Sequence, residues 1–416
     1  MSQSRPPNPT DSLSQWLTWL ETIHPVSIDM GLERVGQVAD RLGMRPVDKP
    51  LVLVGGTNGK GSTVALLSAI YTAAGYRVGS YTSPHIVDFR ERIRIDGEMA
   101  PAADIVQALA HVEAGRHPQT LTYFEYTTLA AMQVFAQHQC DIYLLEVGLG
   151  GRLDATNLWD ADCSVVTSIA LDHEEYLGSD VAVIATEKAA IGRMAKPLVV
   201  GDLAPPDSLF EYTKKHNIPV DHVGAVDPEK LPQSALKGSH QKRNSGCAVA
   251  VVGHLQHRLP VDEQTIEQAL STVTVPGRFE KVQLDGVSAL FDVAHNPAGA
   301  AALASAFEDE FGDKRAQVLF ACMADKDLGG ILDALGPVAA HWHCVPLNIS
   351  RAMKAEDLSQ LINAASEGCA SAYACLEDAC STAVATAREK GQPLLVAGSF
   401  FTIADVRPIL EAPGSN

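Results

Sequence analysis

Leu51-Val52-Leu53-Val54-Gly55-Gly56-Thr57-Asn58-Gly59-Lys60-Gly61-Ser62-Thr63 is the stretch on which the fold turns. Its first four residues are an apolar run of the kind found in strands buried on both faces. Glycines then make a turn, residues 63–74 have helical period and composition, Gly75 suits the helix end, and 76–81 return as a strand. Residues 51–81 therefore form a βαβ unit. The turn ends at a helix N-terminus, where backbone N–H groups and the helix dipole favour an anion, and phosphate is the ligand that fits. The strict phosphate-loop pattern is broken twice: Val54 stands where its first glycine belongs, and Gly61 separates Lys60 from Ser62. A plain glycine turn with a solvated lysine is the bland reading, and the order strand, turn, helix weighs against it.

Outward from this unit, Val-, Ile- and Leu-rich runs alternate with helical segments, as in a parallel sheet flanked by helices. Strands are expected over 142–147, 164–169 and 198–201, with helices over 126–138 and 181–194. Pro276 and Gly277 mark a boundary, and Asp285-Gly286 separates two short strand-like runs as a tight hairpin would. Beyond Asp292 the alternation restarts, with strands expected over 317–322, 341–346 and 394–397. The fold class is α/β in two domains: a nucleotide-binding domain over residues 1–276 and a smaller Rossmann-like α/β domain over 277–416. Residues 205–238 read as irregular surface turns.

The 416 residues are 46% hydrophobic and 20% charged, enough to build large cores. Fifty acidic residues against 32 basic ones give a net charge of −18, which argues against a protein that tracks a nucleic-acid backbone. Polar residues interrupt every apolar run before it could span a membrane, and residues 1–10 are a polar, proline-bearing tail without the apolar core of a signal peptide. Eight cysteines lack Cys-x-x-Cys or zinc-type spacing, so reduced thiols in a cytoplasm are expected.

Three further clusters follow strands and so fall at the carboxyl edge of the first sheet. Thr82-Ser83-Pro84-His85 could be an ordinary turn, or Ser83 could offer oxygen to magnesium. Residues 146–157 carry Glu146 from a buried strand into a glycine loop, either as a salt-bridged strand end or as a ligand for a hard cation. Leu171-Asp172-His173 brings His173 to the same edge, where an isolated histidine is usually packed or solvated. Lys188 lies in the next helix and by default is a surface lysine.

Together these segments resemble the Mur ligase superfamily and, within it, the folylpolyglutamate synthase family, on the branch of bacterial bifunctional dihydrofolate synthase/folylpolyglutamate synthases. The motifs are Gly56-Thr57-Asn58-Gly59-Lys60-Gly61-Ser62, Thr82-Ser83-Pro84-His85, the 146–157 stretch, Asp172-His173 with Leu177-Gly178, Glu187-Lys188-Ala189, Pro276-Gly277-Arg278-Phe279 and Asp292-Val293-Ala294-His295-Asn296-Pro297. Gly398-Ser399-Phe400 extends the likeness almost to the end of the chain. The resemblance implies a Mur-type nucleotide-binding domain, a Mur-type C-terminal domain, and an ATP-dependent ligase joining L-glutamate to 7,8-dihydropteroate and to tetrahydrofolates through an acyl phosphate.

The resemblance also implies roles. Thr57, Asn58, Gly59, Lys60, Gly61 and Ser62 would hold ATP phosphates, joined by Asn244, Arg278 and Asp292 from across an interdomain cleft. Ser62, Ser83, Glu146 and His173 would hold Mg2+, together with Lys188 carried as a carbamate, and K+ is a further ion. Lys60, His173 and Lys188 are the catalytic candidates. Thr122, Phe124, Glu125, Arg152 and Asp154 resemble the dihydropteroate positions, with an aromatic face for the pterin and a carboxylate for its N–H donors. Phe124 could instead begin a helix and pack in the core. His295 and Ser399 resemble glutamate-binding positions. Ala190 departs from the glycine common in close relatives.

Rival readings are a monofunctional folylpolyglutamate synthase, a peptidoglycan-type ligase, and a nucleotide-dependent switch. The peptidoglycan type would need a further N-terminal domain, for which about 50 residues are too few. A switch has no use for a second domain carrying Arg278 and Asp292. A monomer is expected, because no coiled-coil heptads appear.

Overall fold

The computed structural model describes residues 5–26, 28–365 and 369–412. The chain divides into two compact units, Met1–Ser234 with Gln241–Val273, and Ala235–His240 with Thr274–Asn416.

Among the described residues the first unit carries an eight-stranded sheet built from β1 (Leu51–Gly55), β2 (Val78–Tyr81), β3 (Ile93–Ile95), β4 (Glu98–Met99), β5 (Ile142–Glu146), β6 (Cys163–Val166), β7 (Leu198–Val200) and β8 (Val220–His222). Their order is β4-β3-β2-β5-β1-β6-β7-β8. β1 runs parallel to both β5 and β6, with Val54 opposite Glu146 and Val165. All five residues of β1 are buried, as a central strand covered on both faces requires. The chain leaves β1 through the glycine turn, forms the helix Lys60–Ala73, and crosses β5 to return as β2. β3 and β4 add an antiparallel edge. Trp16, Trp19 and Leu20 of the helix Leu13–Leu20 join Leu109, Tyr126 and Phe135 in the core of this unit.

The second unit carries β9 (Glu280–Leu284), β10 (Val287–Phe291), β11 (Ala316–Phe320), β12 (Ala339–Cys344), β13 (Ala370–Ala372) and β14 (Leu394–Ala397), in the order β13-β12-β11-β14-β10-β9. Among the described strands of this sheet only β9 pairs antiparallel, joined to β10 by Asp285 and Gly286 at φ 48° and 83°. Two consecutive positive φ angles are what a two-residue hairpin demands, and they explain why Asp-Gly stands there.

The expected elements are present with shifted ends. The helix after β1 starts at Lys60, three residues before the expected Thr63, because Gly59 takes the left-handed N-cap conformation at φ 89°. The helix Tyr123–Gln137 starts three residues early on a capping box between Thr122 and Glu125. The helix Val181–Ala189 ends before the expected residue 194, and β6 ends at Val166 because the chain turns there to meet the glycine loop. Residues 205–238 are more regular than expected, holding the helix Asp207–Lys215 and β8.

Candidate active site

The glycine loop is laced to the segment after β6. The Thr57 N–H donates to Ser168 O at 2.7 Å and the Asn58 N–H to Ser168 Oγ at 3.0 Å. In return Thr167 Oγ1 and Ser168 Oγ donate to Asn58 O at 2.7 and 3.0 Å. Thr57 Oγ1 closes the seam, donating to Ala170 O and accepting from Ala170 N. With these backbone groups held, the loop is a preformed cradle rather than a flexible tip. Lys60 bends back over it, its Nζ donating to the carbonyls of Gly56 and Thr57, both at 3.1 Å.

Helix Ser239–Leu255 supplies the loop's other wall. Asn244 is buried and so near Gly59 that a Cβ there would lie 2.6 Å from Asn244 Oδ1. Asn244 Nδ2 donates to Gln241 Oε1 at 2.8 Å, and Gln241 Nε2 donates to the buried Ser62 Oγ at 3.3 Å. Gln241 was no sequence candidate; its link to Ser62 spans 179 residues and leaves no local signal.

Glu146, at the carboxyl end of β5, is buried with both carboxylate oxygens 3.5–3.9 Å from where a Gly61 Cβ would stand. One of those oxygens accepts the Ser83 N–H at 3.1 Å, so Ser83 and Glu146 do come together beside the helix start. Lys188 is also buried, contrary to the default of a surface lysine. Burial and the nearby Lys60 charge lower its pKa to about 7. His173 is exposed, in a left-handed conformation, with its ring 3.9 Å from Asp172.

Among the described residues no group of three His, Cys, Asp or Glu side chains gathers for a metal. The residues present fit a hard divalent cation in another way. A buried carboxylate directed at the loop, with Ser62 at the helix start and Ser83 bonded to that carboxylate through its N–H, offers oxygen donors of the sort magnesium takes alongside nucleotide phosphates.

A second cluster borders this one. Phe124 lies half-buried, its ring centroid 5.8 Å from that of Tyr81, and a Cβ at Gly148 would come within 2.5 Å of it. Only glycine lets the 148–154 loop approach so closely. The loop's far side rests on the helix carrying Lys188: Arg152 N donates to Glu187 O at 3.1 Å, and Arg152 Nε to Glu187 Oε1 at 2.8 Å. Asp154 is buried, and burial raises its pKa. Its carboxylate accepts from Leu149 N and from the N–H and hydroxyl of Thr156 at 2.6–2.9 Å, so it organises its own loop. Thr122 and Glu125 are buried in their capping box. Thr-x-x-Glu is visible in the sequence as that signal.

In the second unit Arg278, Asp292, His295 and Ser399 gather around one edge of the sheet. Asp292 Oδ2 accepts Phe279 N at 2.8 Å and Oδ1 accepts Ala294 N at 2.9 Å. Arg278 lies over the Phe400 ring at 5.6 Å, and His295 packs 6.3 Å from the same ring. Ser399 caps the helix Phe400–Leu410, accepting Thr402 N at 2.9 Å.

Comparison with known proteins agrees with this arrangement. The family model of the Mur ligase middle domain matches residues 54–262, and that of the Mur ligase glutamate ligase domain matches residues 277–400. Fold and loop thus define a Mur ligase, an enzyme that forms carbon–nitrogen bonds. The dihydrofolate synthase/folylpolyglutamate synthase of Escherichia coli (strain K12) is 37% identical over 98% of each chain. E. coli FolC in complex with DHPP and ADP has a TM-score of 0.89 at 36% identity, covering 97% of this chain and 99% of that one. The bifunctional folylpolyglutamate synthase/dihydrofolate synthase from Yersinia pestis, complexed with AMPPNP and Mn ion, has a TM-score of 0.87 at 36% identity, covering 98% and 100%. The chain belongs to the dihydrofolate synthase/folylpolyglutamate synthase family.

Proposed function

We propose that the chain joins L-glutamate to 7,8-dihydropteroate, giving dihydrofolate, and to tetrahydrofolates, giving folylpolyglutamates, with ATP as co-substrate. The observation that carries this reading is the laced glycine loop with Lys60 folded over it and buried Glu146 at its helix start. A carboxylate is a poor electrophile. Its oxygen attacks the γ-phosphorus of ATP, ADP leaves, and an acyl phosphate forms. The uncharged amine of glutamate then attacks the acyl carbon, phosphate leaves, and the amine proton is lost as the amide forms.

Both steps concentrate negative charge where the loop amides and Lys60 lie, and fixed donors of this kind are the main electrostatic lever on phosphoryl transfer. Lys60 would exchange the carbonyls of Gly56 and Thr57 for phosphate oxygens. Ser62, Ser83, Glu146, His173 and a carbamylated Lys188 would hold Mg2+, which when bound neutralises phosphate charge. K+ would be a further ion. Asn244, Arg278 and Asp292 would contact the nucleotide. Thr122, Phe124, Glu125, Arg152 and Asp154 would line the pterin end, and His295 and Ser399 would receive glutamate. A carbamate suits Lys188 because carbon dioxide adds only to a neutral amine, and burial favours that form. In this reading the nucleotide domain runs over 1–276 and the Rossmann-like domain over 277–416.

The enzyme would act as a cytoplasmic monomer. Among the described residues no helix is long and apolar enough to cross a membrane. The test is direct. Purified protein with ATP, Mg2+, 7,8-dihydropteroate and glutamate should release phosphate and form dihydrofolate, and tetrahydrofolate in place of dihydropteroate should be extended. Phosphate release that ignores both acids would sink the reading.

A further inference from the structure

Arg34, in the helix Glu33–Arg41, ties three separate pieces of the first unit together. Its Nη2 donates to Glu125 Oε1 at 2.8 Å and its Nε to Glu125 Oε2 at 3.3 Å, a two-pronged grip on one carboxylate. Its Nη1 donates to Asp29 Oδ2 at 2.6 Å and its Nη2 to Asp29 O at 2.9 Å. His24, its side chain buried, stands 3.6 Å from the same Asp29 oxygen. Glu125 is only 4% exposed, and Arg34 is its ion-pair partner. The same Glu125 Oε2 accepts the Thr122 N–H at 2.7 Å and thereby fixes the first turn of the helix that presents Phe124. Beyond Asp29, Met30 Cε comes within 3.9 Å of where a Cβ at Gly150 would stand, so the segment tied by Arg34 also meets the 148–154 loop.

We propose that Arg34 is a positioning residue for the acid substrate: by clamping Asp29 and Glu125 it holds the N-terminal segment, Thr122 and Phe124 in one rigid pocket wall. The inference rests on the proposed pterin end of the site and adds a residue that touches no reacting atom. Removing the fork leaves a buried carboxylate without its hydrogen-bonding partner, and Glu125 then turns away and releases Thr122 N. The nucleotide loop is held by the Thr167–Ala170 seam and by helix Ser239–Leu255, neither of which Arg34 contacts in these bonds. The defect should therefore appear on one substrate only.

The experiment compares wild type, Arg34→Gln and Arg34→Lys as full-length enzyme. It measures KM for 7,8-dihydropteroate, KM for ATP, kcat and the melting curve. Arg34→Gln should raise KM for dihydropteroate about tenfold or more, the scale of losing one well-placed ionic contact. KM for ATP should stay within about twofold of wild type. Arg34→Lys, which keeps the charge and loses the fork, should fall between the two. A folded Arg34→Gln with unchanged dihydropteroate KM, or with both KM values rising in parallel, overturns the proposal; if that variant does not fold, Arg34→Lys is judged by the same split. Wild type inactive on every pterin acid would instead overturn the underlying substrate reading.

Discussion

Lys188 and Lys60 lie near enough for one charge to act on the other: burial first, and the Lys60 ammonium second, hold the Lys188 pKa near 7 instead of 10.5. An unmodified Lys188 binds fewer protons in the fold than in the unfolded chain between those two values. The folded state is therefore penalised at neutral pH, and the penalty fades as pH rises toward 10.5. In carbonate-free buffer without metal, Lys188→Met should melt as the more stable protein near pH 7, by roughly 2 kcal/mol or more, with the gap closing at higher pH. The same variant should be inactive. A carbamate on the wild-type residue, seen by mass spectrometry of the intact protein, and partial rescue of Lys188→Ala by a short carboxylic acid would assign the residue its metal-facing role. Full activity of Lys188→Ala would remove it.

Two substitutions in the glycine loop separate charge from shape. Lys60→Ala deletes an ammonium that donates to the Gly56 and Thr57 carbonyls, and turnover should be abolished. Gly59→Ala places a methyl 2.6 Å from Asn244 Oδ1 at a backbone φ of 89°. That change should cost about 1–3 kcal/mol of stability and weaken ATP binding, because helix and loop must part to admit the methyl. Calorimetric titration with ADP would read both, and Lys60→Ala retaining wild-type turnover would take the loop out of the mechanism.

How much of this was visible in the sequence depends on how local each interaction is. The βαβ unit was legible because buried parallel strands are unbroken apolar runs and because a turn that close to a helix start needs glycine. Asp285-Gly286 was legible for the same kind of reason, since few other pairs adopt two positive φ angles in succession. Helices start earlier than the apolar period indicates where the cap lies outside it, as at Gly59 and in the Thr122–Glu125 box, although the latter is present as a pattern. Helical period said nothing about Lys188, which is buried among segments distant in the chain. Arg34 and Glu125 are 91 residues apart, and Gln241 and Ser62 are 179 apart, so only the folded chain brings them together.

The second unit should carry its own acid limb. His343 is 2% exposed on β12, with Nε2 2.9 Å from Gln317 Oε1 and Nδ1 2.8 Å from the Tyr373 hydroxyl. Burial, together with His341 and Lys390, lowers its pKa to about 4. A histidine held neutral in the fold gives its full contribution above 6.5 and loses it as pH falls toward 4, a loss of about 3 kcal/mol. His85, also lowered to about 4, adds to the same window in the first unit. Urea titrations from pH 7 to pH 4 should show a shallower fall for His343→Gln than for wild type, and identical slopes would show that the buried ring does not govern acid stability.

Asp292 and Arg278 make the last distinction, between building a nucleotide contact and being one. Asp292 accepts the N–H groups of Phe279 and Ala294, and Phe279 sits at a positive φ of 47°, so the turn that presents Arg278 is held in place by this carboxylate. Asp292→Asn swaps one acceptor for a donor facing a backbone N–H. It should lower stability by about 1–3 kcal/mol and raise KM for ATP as the turn loosens. Arg278→Ala removes a half-buried guanidinium that lies over the Phe400 ring, a contact worth about 0.5–1 kcal/mol, and whose charge favours the buried Asp292 carboxylate, so its melting temperature should also fall. Its KM for ATP should rise at least as much as that of Asp292→Asn if Arg278 reaches the phosphates. Equal melting loss in both variants with an unchanged KM for ATP would mean that the pair braces the linker and leaves the nucleotide to the first unit.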